Sequence, residues 1–307
     1  MVSFTTTALL IIGITAVIVS AGGGENYHHN KKHHNKKKFD VVVYGQFSSN
    51  VTQLSNTTIT FQNDDGSELI YINDKDQSEI LIEETCVYLV IWTIQVGFVC
   101  STGEISSWAR LNGRDIANSN AVQTNTLGNT ALFILHLVEH FDKGDKFQLK
   151  QSTVDINGQI GAIASQAKDE SDIPSAELTL ICISREKEPY GQLFSTKTQF
   201  IGTDNPAGSI VSLDDIHKQH KFYGLRLRSS SSSSNDNSII EYEEAGLYYF
   251  QVSVQLSRQG DGNVSLWLRL NGQDLPDSNI IQNIAVGEAG VSFTITLLEL
   301  NMINYNS

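Results

Sequence analysis

The sequence predicts an all-β chain built from two copies of one sandwich domain, and three observations carry that prediction. An unusual phrase occurs twice: Trp108 to Asn120 reads WARLNGRDIANSN, and Trp267 to Asn279 reads WLRLNGQDLPDSN. The segments around it alternate apolar and polar residues with a period of two. No stretch after residue 40 carries the apolar spacing of an amphipathic helix.

The match extends outward from that phrase. YGQF at Tyr44 pairs with YGQL at Tyr190, and ILIEETCVYLV (Ile80 to Val90) with IIEYEEAGLYYF (Ile239 to Phe250). ALFILHLVEH (Ala131 to His140) pairs with VSFTITLLEL (Val291 to Leu300). Repetition at so long a period means two copies of a whole domain, not a solenoid of small units. The boundary falls in SREKEP (Ser184 to Pro189), a charged stretch that ends in a breaker of regular structure. The expected organisation is therefore 40–184 for the first domain and 189–307 for the second.

Within each copy the elements follow in order. The run LYYFQVSVQL places Tyr248, Phe250, Val252, Val254 and Leu256 on one face, and Gln251, Ser253 and Gln255 on the other. LNGRD and LNGQD put Asn-Gly directly after an apolar strand, the strongest short hairpin signal. VSFTITLLEL alternates again, with Phe293, Ile295 and Leu297 together. Copy one then continues with GDKFQLKQS and SAELTLICIS, which supply two further strands, whereas copy two runs into LLELNMINYNS. The second domain is expected to lack its last two strands.

The ends and the composition narrow the class. The chain has 307 residues, 40% of them hydrophobic, enough for about two packed domains. The formal net charge is −13, which argues against general nucleic-acid binding, since that needs a basic face to neutralise phosphates. Residues 1–24 carry no charged side chain, and ALLIIGITAVIV (Ala8 to Val19) followed by SAGGG reads as a signal peptide or a membrane anchor, although no basic residue precedes it. Residues 25–39 form a His- and Lys-rich spacer. Its composition is that of a solvated tract; His28, His29, His33 and His34 could take a metal, and the lysines an anionic surface, but nothing preorganises either. Setting aside its five lysines with Glu25 and Asp40 leaves 16 basic and 32 acidic side chains, so the two domains sit near −16. Asn50, Asn56 and Asn263 open glycosylation sequons that matter only on a secretory route.

The opening Tyr-Gly-x-Phe strand, the EEAGLYYFQVSVQL strand and the VSLWLRLNGQDLPDSN hairpin together resemble the TNF/C1q-like jelly-roll family. They are especially similar to its versions in viral and phage fibre proteins and bacterial surface proteins. The resemblance covers most of residues 40–300 and implies two five-stranded sheets per domain and a homotrimer. Copy one departs from the pattern at Cys86, where copy two has Gly246, and at Ala117, where copy two has proline. The implied job is a non-enzymatic structural or attachment protein, secreted or on a cell or virion surface, that recognises a surface receptor or glycan. A secreted signalling ligand of the same fold is the alternative; there basic residues usually precede the apolar segment, and here they follow it.

The sequence offers little catalytic chemistry. HLVEH (His136, Glu139, His140) spells an inverted zinc-peptidase motif, but that motif works on a helix. On a strand the two imidazoles stand about 13 Å apart, too far to share one zinc. Glu83-Glu84 and Glu243-Glu244 are neighbours that face opposite ways on a strand, so they are poor acid–base partners. No phosphate loop or nucleophile elbow occurs. No enzyme activity and no cofactor are expected. The insert RSSSSSSND (Arg228 to Asp236) has a flexible-loop composition.

Three cysteines leave at least one unpaired within the chain. Cys86 and Cys100 bracket one strand whose ends lie on the order of 40 Å apart, so they cannot bridge unless that strand breaks. The ordinary expectation for all three is that of small buried hydrophobes. In the jelly roll that the resemblance implies, the strand ending near Cys182 runs antiparallel beside the one starting at Val87. That places Cys182 nearer Cys86 than Cys100.

Two further expectations follow. VYLVIWTIQV and ALFILHLV are apolar on both faces, while copy two is largely polar at the matching Gln251, Ser292 and Thr294. In the family both strands belong to the sheet that faces neighbouring subunits, so Val87, Leu89, Ile91, Leu132, Ile134 and Val138 are the expected oligomer interface. His136 lies on that face and would add pH sensitivity unless it is simply packed. In copy two the missing last strand leaves a gap between YGQLF and LYYFQVSV. The sheet closes over it, the tail NMINYNS folds back, or a strand from another chain fills it.

Overall fold

The computed structural model describes residues 8–14, 42–54, 57–98, 103–117, 119–125, 130–153, 160–162 and 173–184, and shorter runs between 193 and 300. Every regular element among the described residues is a β-strand, and every ladder is antiparallel. The apolar N-terminal segment forms β1 (Ala8–Ile14). The first copy then supplies β2 (Tyr44–Ser49), β3 (Gln53–Leu54), β4 (Asn63–Glu68), β5 (Ile70–Asn73), β6 (Asp76–Ile82) and β7 (Cys86–Phe98). It continues with β8 (Gly103–Leu111), β9 (Arg114–Asp115), β10 (Ala121–Asn125), β11 (Thr130–Phe141), β12 (Lys146–Thr153), β13 (Ile160–Ala162) and β14 (Ala176–Ser184).

These strands make two sheets. The 7-stranded one runs β3-β13-β7-β14-β2-β4 with β11 on the other edge of β7, and the 6-stranded one runs β10-β8-β12-β6-β5 with β9 on β8. Each exceeds the five strands implied by the resemblance. The first sheet gains the short β3 and β13, and the second gains the returning arm of the Asn-Gly hairpin.

Period-two alternation decides what each sheet buries. Along β7, Tyr88, Val90, Trp92 and Ile94 point inward and are at most 1% exposed. They meet Ile80, Ile82, Phe147 and Leu149 from the other sheet in one continuous core. Two contacts pin the sheets together. Phe141 of β11 lies 5.6 Å from Phe147 of β12 between ring centroids, and Trp92 Nε1 donates to Ser107 Oγ at 3.3 Å. A buried indole N–H needs such a partner. Gly45 explains the Tyr-Gly-x-Phe signature: a Cβ there would stand 2.7 Å from Phe47 Cε2 and 3.1 Å from Ile70 Cβ, and both residues are fully buried. The glycine lets the Phe47 ring fold back over its own strand.

Cys86 and Cys182 form a disulfide, with Cα atoms 5.7 Å apart. This corrects the expectation of inert buried thiols. The antiparallel pairing of β14 with β7 puts Cys182 opposite Tyr88, so the end of one strand meets the start of the other. Cys100 lies outside the described residues.

The second copy supplies β15 (Leu193–Phe194), β16 (Gln199–Ile201), β17 (Asp215–Ile216), β18 (Leu225–Leu227), β19 (Ile240–Tyr242), β20 (Gly246–Tyr248) and β21 (Val252–Arg258). After these come β22 (Gly262–Leu266), β23 (Arg269–Leu270), β24 (Gln273–Asp274), β25 (Ile280–Ile284), β26 (Ala289–Phe293) and β27 (Leu298–Leu300). Its largest sheet runs β17-β15-β1-β21-β26, with β16 also on β1. The expected gap between YGQLF and LYYFQVSV is therefore neither closed by direct pairing nor left open. The chain's own residues 8–14 lie in it, an outcome not among the three expected. The tail NMINYNS is outside the described residues.

Candidate functional site

The six residues expected at an oligomer interface all belong to one face of the β7–β11 ladder. Val138 stands opposite Leu89, His136 opposite Ile91, Ile134 opposite Thr93 and Leu132 opposite Gln95. That face is graded. Val87, Leu89 and Val138 are 5%, 7% and 2% exposed and form a small cluster with Ile91 and Ile183. Ile91 and Ile134 are half-buried, and Leu132 is 59% exposed. Three of the six are thus covered within the single chain. What the face offers a neighbour is its Leu132 end, with Ile134 and Ile91 behind it.

His136 sits between the two ends, 8% exposed. Burial disfavours its charged form and pulls the pKa down to about 4. It is a neutral packed imidazole at physiological pH. His140, two strand steps on, is exposed, and Glu139 points to the other side of β11. The HLVEH spelling is thereby spread along a strand.

The repeated phrase is a hairpin in both copies, and its polar letters serve the turn. Asn112 and Gly113 have φ of 51° and 77°, and Asn271 and Gly272 have 51° and 80°. Two consecutive positive φ values mark the turn whose twist fits a two-residue hairpin, and Asn-Gly tolerates them best. Arg110 Nε pairs with Asp115 at 2.8 Å, and Arg269 Nε pairs with Asp274 at 2.9 Å. Each guanidinium also donates to the carbonyl of the turn glycine, Gly113 or Gly272. Asn112 adds a tie in copy one: its Nδ2 donates to Asp145 Oδ1 at 2.7 Å, and its Oδ1 accepts from Lys146 N at 3.0 Å. The buried Ser119 closes the loop, accepting from Ala109 N at 3.0 Å and donating to Ile116 O at 2.8 Å.

A buried polar cluster escaped the sequence reading. Gln53 Nε2 donates to Ser49 Oγ at 2.8 Å and to Thr60 O at 3.0 Å, and Gln53 Oε1 accepts from Thr60 N at 2.7 Å. Gln151 Nε2 donates to Gln53 O at 2.8 Å, and Gln151 Oε1 accepts from Ala162 N at 3.3 Å. The two glutamines fasten β3 and β13 where the sheet ends. A Gln at strand spacing gives no sign of this, because a solvent-facing Gln looks the same in sequence.

The remaining candidates disperse. Glu83 pairs with Lys143 at 3.1 Å, while the Glu84 carbonyl accepts from Tyr88 Oη at 2.7 Å. Asn50 is exposed, Asn263 lies within β22 opposite Asn283, and Asn56, Glu243 and Glu244 are outside the described residues. The His/Lys spacer, the serine-rich insert, Gln251 and Thr294 are outside them too; Ser292 lies in β26 opposite Ser253. Among the described residues no group of three or more His, Cys, Asp or Glu side chains could hold a metal. No helix among them is long and apolar enough to cross a membrane.

No family model matches the chain, and no curated protein does. One solved structure that does is described as "Structure of Eiger TNF from S. frugiperda". It is 11% identical with a TM-score of 0.33, and the match covers 48% of this chain and 96% of that one.

Proposed function

We propose that the chain is a non-catalytic recognition protein: two tandem TNF/C1q-like jelly rolls that assemble as a trimer at an extracellular or virion surface and engage a surface receptor or glycan. The carrying observation is the order in which the first copy visits its two sheets. The chain goes from β2 in the first sheet to β6 in the second, returns for β7, and crosses again for β8 and β10. It comes back for β11, crosses for β12, and ends with β14 between β2 and β7. That alternation between two facing sheets supports the jelly-roll reading. Supporting it among the described residues, Glu83 is held in an ion pair with Lys143 and His136 is packed beneath the β7–β11 face. The Cys86–Cys182 bridge favours an oxidising compartment, as secretion or surface display would provide.

The trimer would use the Leu132 end of the β7–β11 face. Sedimentation of the full chain is expected to give three times the chain mass. Leu132→Asp places a carboxylate at an exposed position that the fold does not need, and like charges brought together around a symmetry axis are costly. It is expected to weaken association at least about tenfold while leaving the unfolding midpoint within about 0.5 kcal/mol of wild type. A wild-type chain that stays monomeric over the whole concentration range contradicts the proposal.

A further inference from the structure

The position of β1 carries an inference that neither the repeat nor the resemblance contains. In the first copy one lane of the sheet, flanked by β2 and β3 on one side and β7 on the other, is filled by two segments laid end to end. Ala162 of β13 lies between Gln53 and Val96, and Gly161 lies between Leu54 and Gly97. Further along, Glu177 of β14 lies between Ser48 and Thr93. In the second copy the same lane holds β1 alone. Leu10 lies between Gln199 and Leu256, Leu9 between Phe200 and Ser257, and Gly13 between Phe194 and Ser253.

The flanking residues are equivalent by sequence, on evidence that does not involve β1. Matching Tyr44 to Tyr190 carries Ser48, Gln53 and Leu54 onto Phe194, Gln199 and Phe200. Matching Cys86 to Gly246 carries Thr93, Val96 and Gly97 onto Ser253, Leu256 and Ser257. Both flanks therefore assign β1 the same register: Leu9 and Leu10 take the places of Gly161 and Ala162, and Gly13 takes the place of Glu177. A slip of one residue on either side would break the agreement and turn every side chain to the other face.

We propose that the second domain contains a strand-acceptor site and that its ligand is Ala8–Ile14 of the same chain. One continuous apolar strand there does the work that β13 and β14 share in the first domain. Backbone hydrogen bonds to both neighbours supply the affinity, and the alternation of the strand sets the register, as in strand addition to a sheet edge. The folded protein therefore retains residues 8–14. This goes beyond the proposed recognition role and does not depend on trimer formation.

The test is cross-strand trapping in the full chain. Ile12 stands opposite Val254, so I12C with V254C places two thiols on one face of one ladder. I11C with V254C shifts one strand by a residue and puts them on opposite faces. The first pair is expected to give a link within one chain, found by peptide mass mapping of non-reduced protein, and the second to give at most a tenth as much. A second correct pair, I14C with L193C, tests the other flank and guards against one pair failing to fold. Links for neither correct pair, equal links for the shifted control, or links only between chains overturn the proposal. So does a purified protein whose intact mass shows residues 8–14 removed while Val252–Arg258 amides stay protected from exchange. A monomeric full chain that still forms the I12C–V254C link overturns the trimer and leaves this inference standing.

Discussion

Reducing the Cys86–Cys182 bridge is expected to destabilise the first sandwich by about 3–5 kcal/mol, the largest single effect available outside the core aromatics. The two cysteines are 96 positions apart in sequence, so the bridge closes a loop that runs from the start of β7 to the end of β14 and leaves β2 to β6 outside it. In the chain-entropy description a loop of that size stabilises by roughly 4–5 kcal/mol, because the unfolded chain loses the freedom that the cross-link forbids. Cys86 is 1% exposed, so replacing both residues by alanine also avoids leaving polar groups in the core. Wild type in reducing agent and the Cys86→Ala, Cys182→Ala double variant should share one lowered urea midpoint, with oxidised wild type well above both. An oxidised midpoint equal to the reduced one would sink this expectation.

The second large effect is a loss of stability on mild acidification. His136 titrates near pH 4 when folded and near 6.5 when unfolded. Between those values the unfolded chain takes up a proton that the folded chain refuses. Stability from this group is therefore complete above about pH 7 and falls as the pH drops from 6.5 toward 4, with no further loss from His136 below that. The full shift amounts to roughly 3 kcal/mol, to order of magnitude. His136→Leu, set among Leu89, Ile91 and Val138, should remove that part of the slope while the carboxylate contribution below pH 5 remains in both proteins. Parallel pH profiles for the two proteins would show that the imidazole is not buried as described.

The periodic elements were legible because their signal is local. The alternation in VYLVIWTIQV declares a strand with two apolar faces, and the structure makes it the centre of a sheet with ladders on both edges. Asn-Gly after LRL and ARL declares a hairpin, and both turns carry positive φ at both residues. What escaped depends on which segment meets which. The disulfide needed the β7–β14 pairing, which the resemblance supplied and spacing alone did not. The covering of Val87, Leu89 and Val138 is a property of the whole chain, so six residues that look equivalent along two strands divide into buried and exposed. The N-terminal segment is the sharpest case. ALLIIGI is short and apolar, the composition of a leader and also of a strand buried on both faces. Its partners β15, β16 and β21 are written about 180 residues or more further along, so no local pattern announces the pairing.

The account rests on the two halves of the chain being the same sheet arrangement, and hydrogen exchange on the full chain measures that most directly. Amides of Cys86–Phe98 and of Val252–Arg258 should both be protected, and so should the paired arms Gly103–Leu111 with Ala121–Asn125 and Gly262–Leu266 with Ile280–Ile284. The Gly113 and Gly272 amides at the turns between those arms should exchange quickly in each copy, whereas the Asn112 amide, which donates to Lys146 O at 2.9 Å, should be slower. Protection confined to the first copy, with Val252–Arg258 and Gly262–Leu266 exchanging at unfolded rates, would contradict the claim that one fold has been built twice.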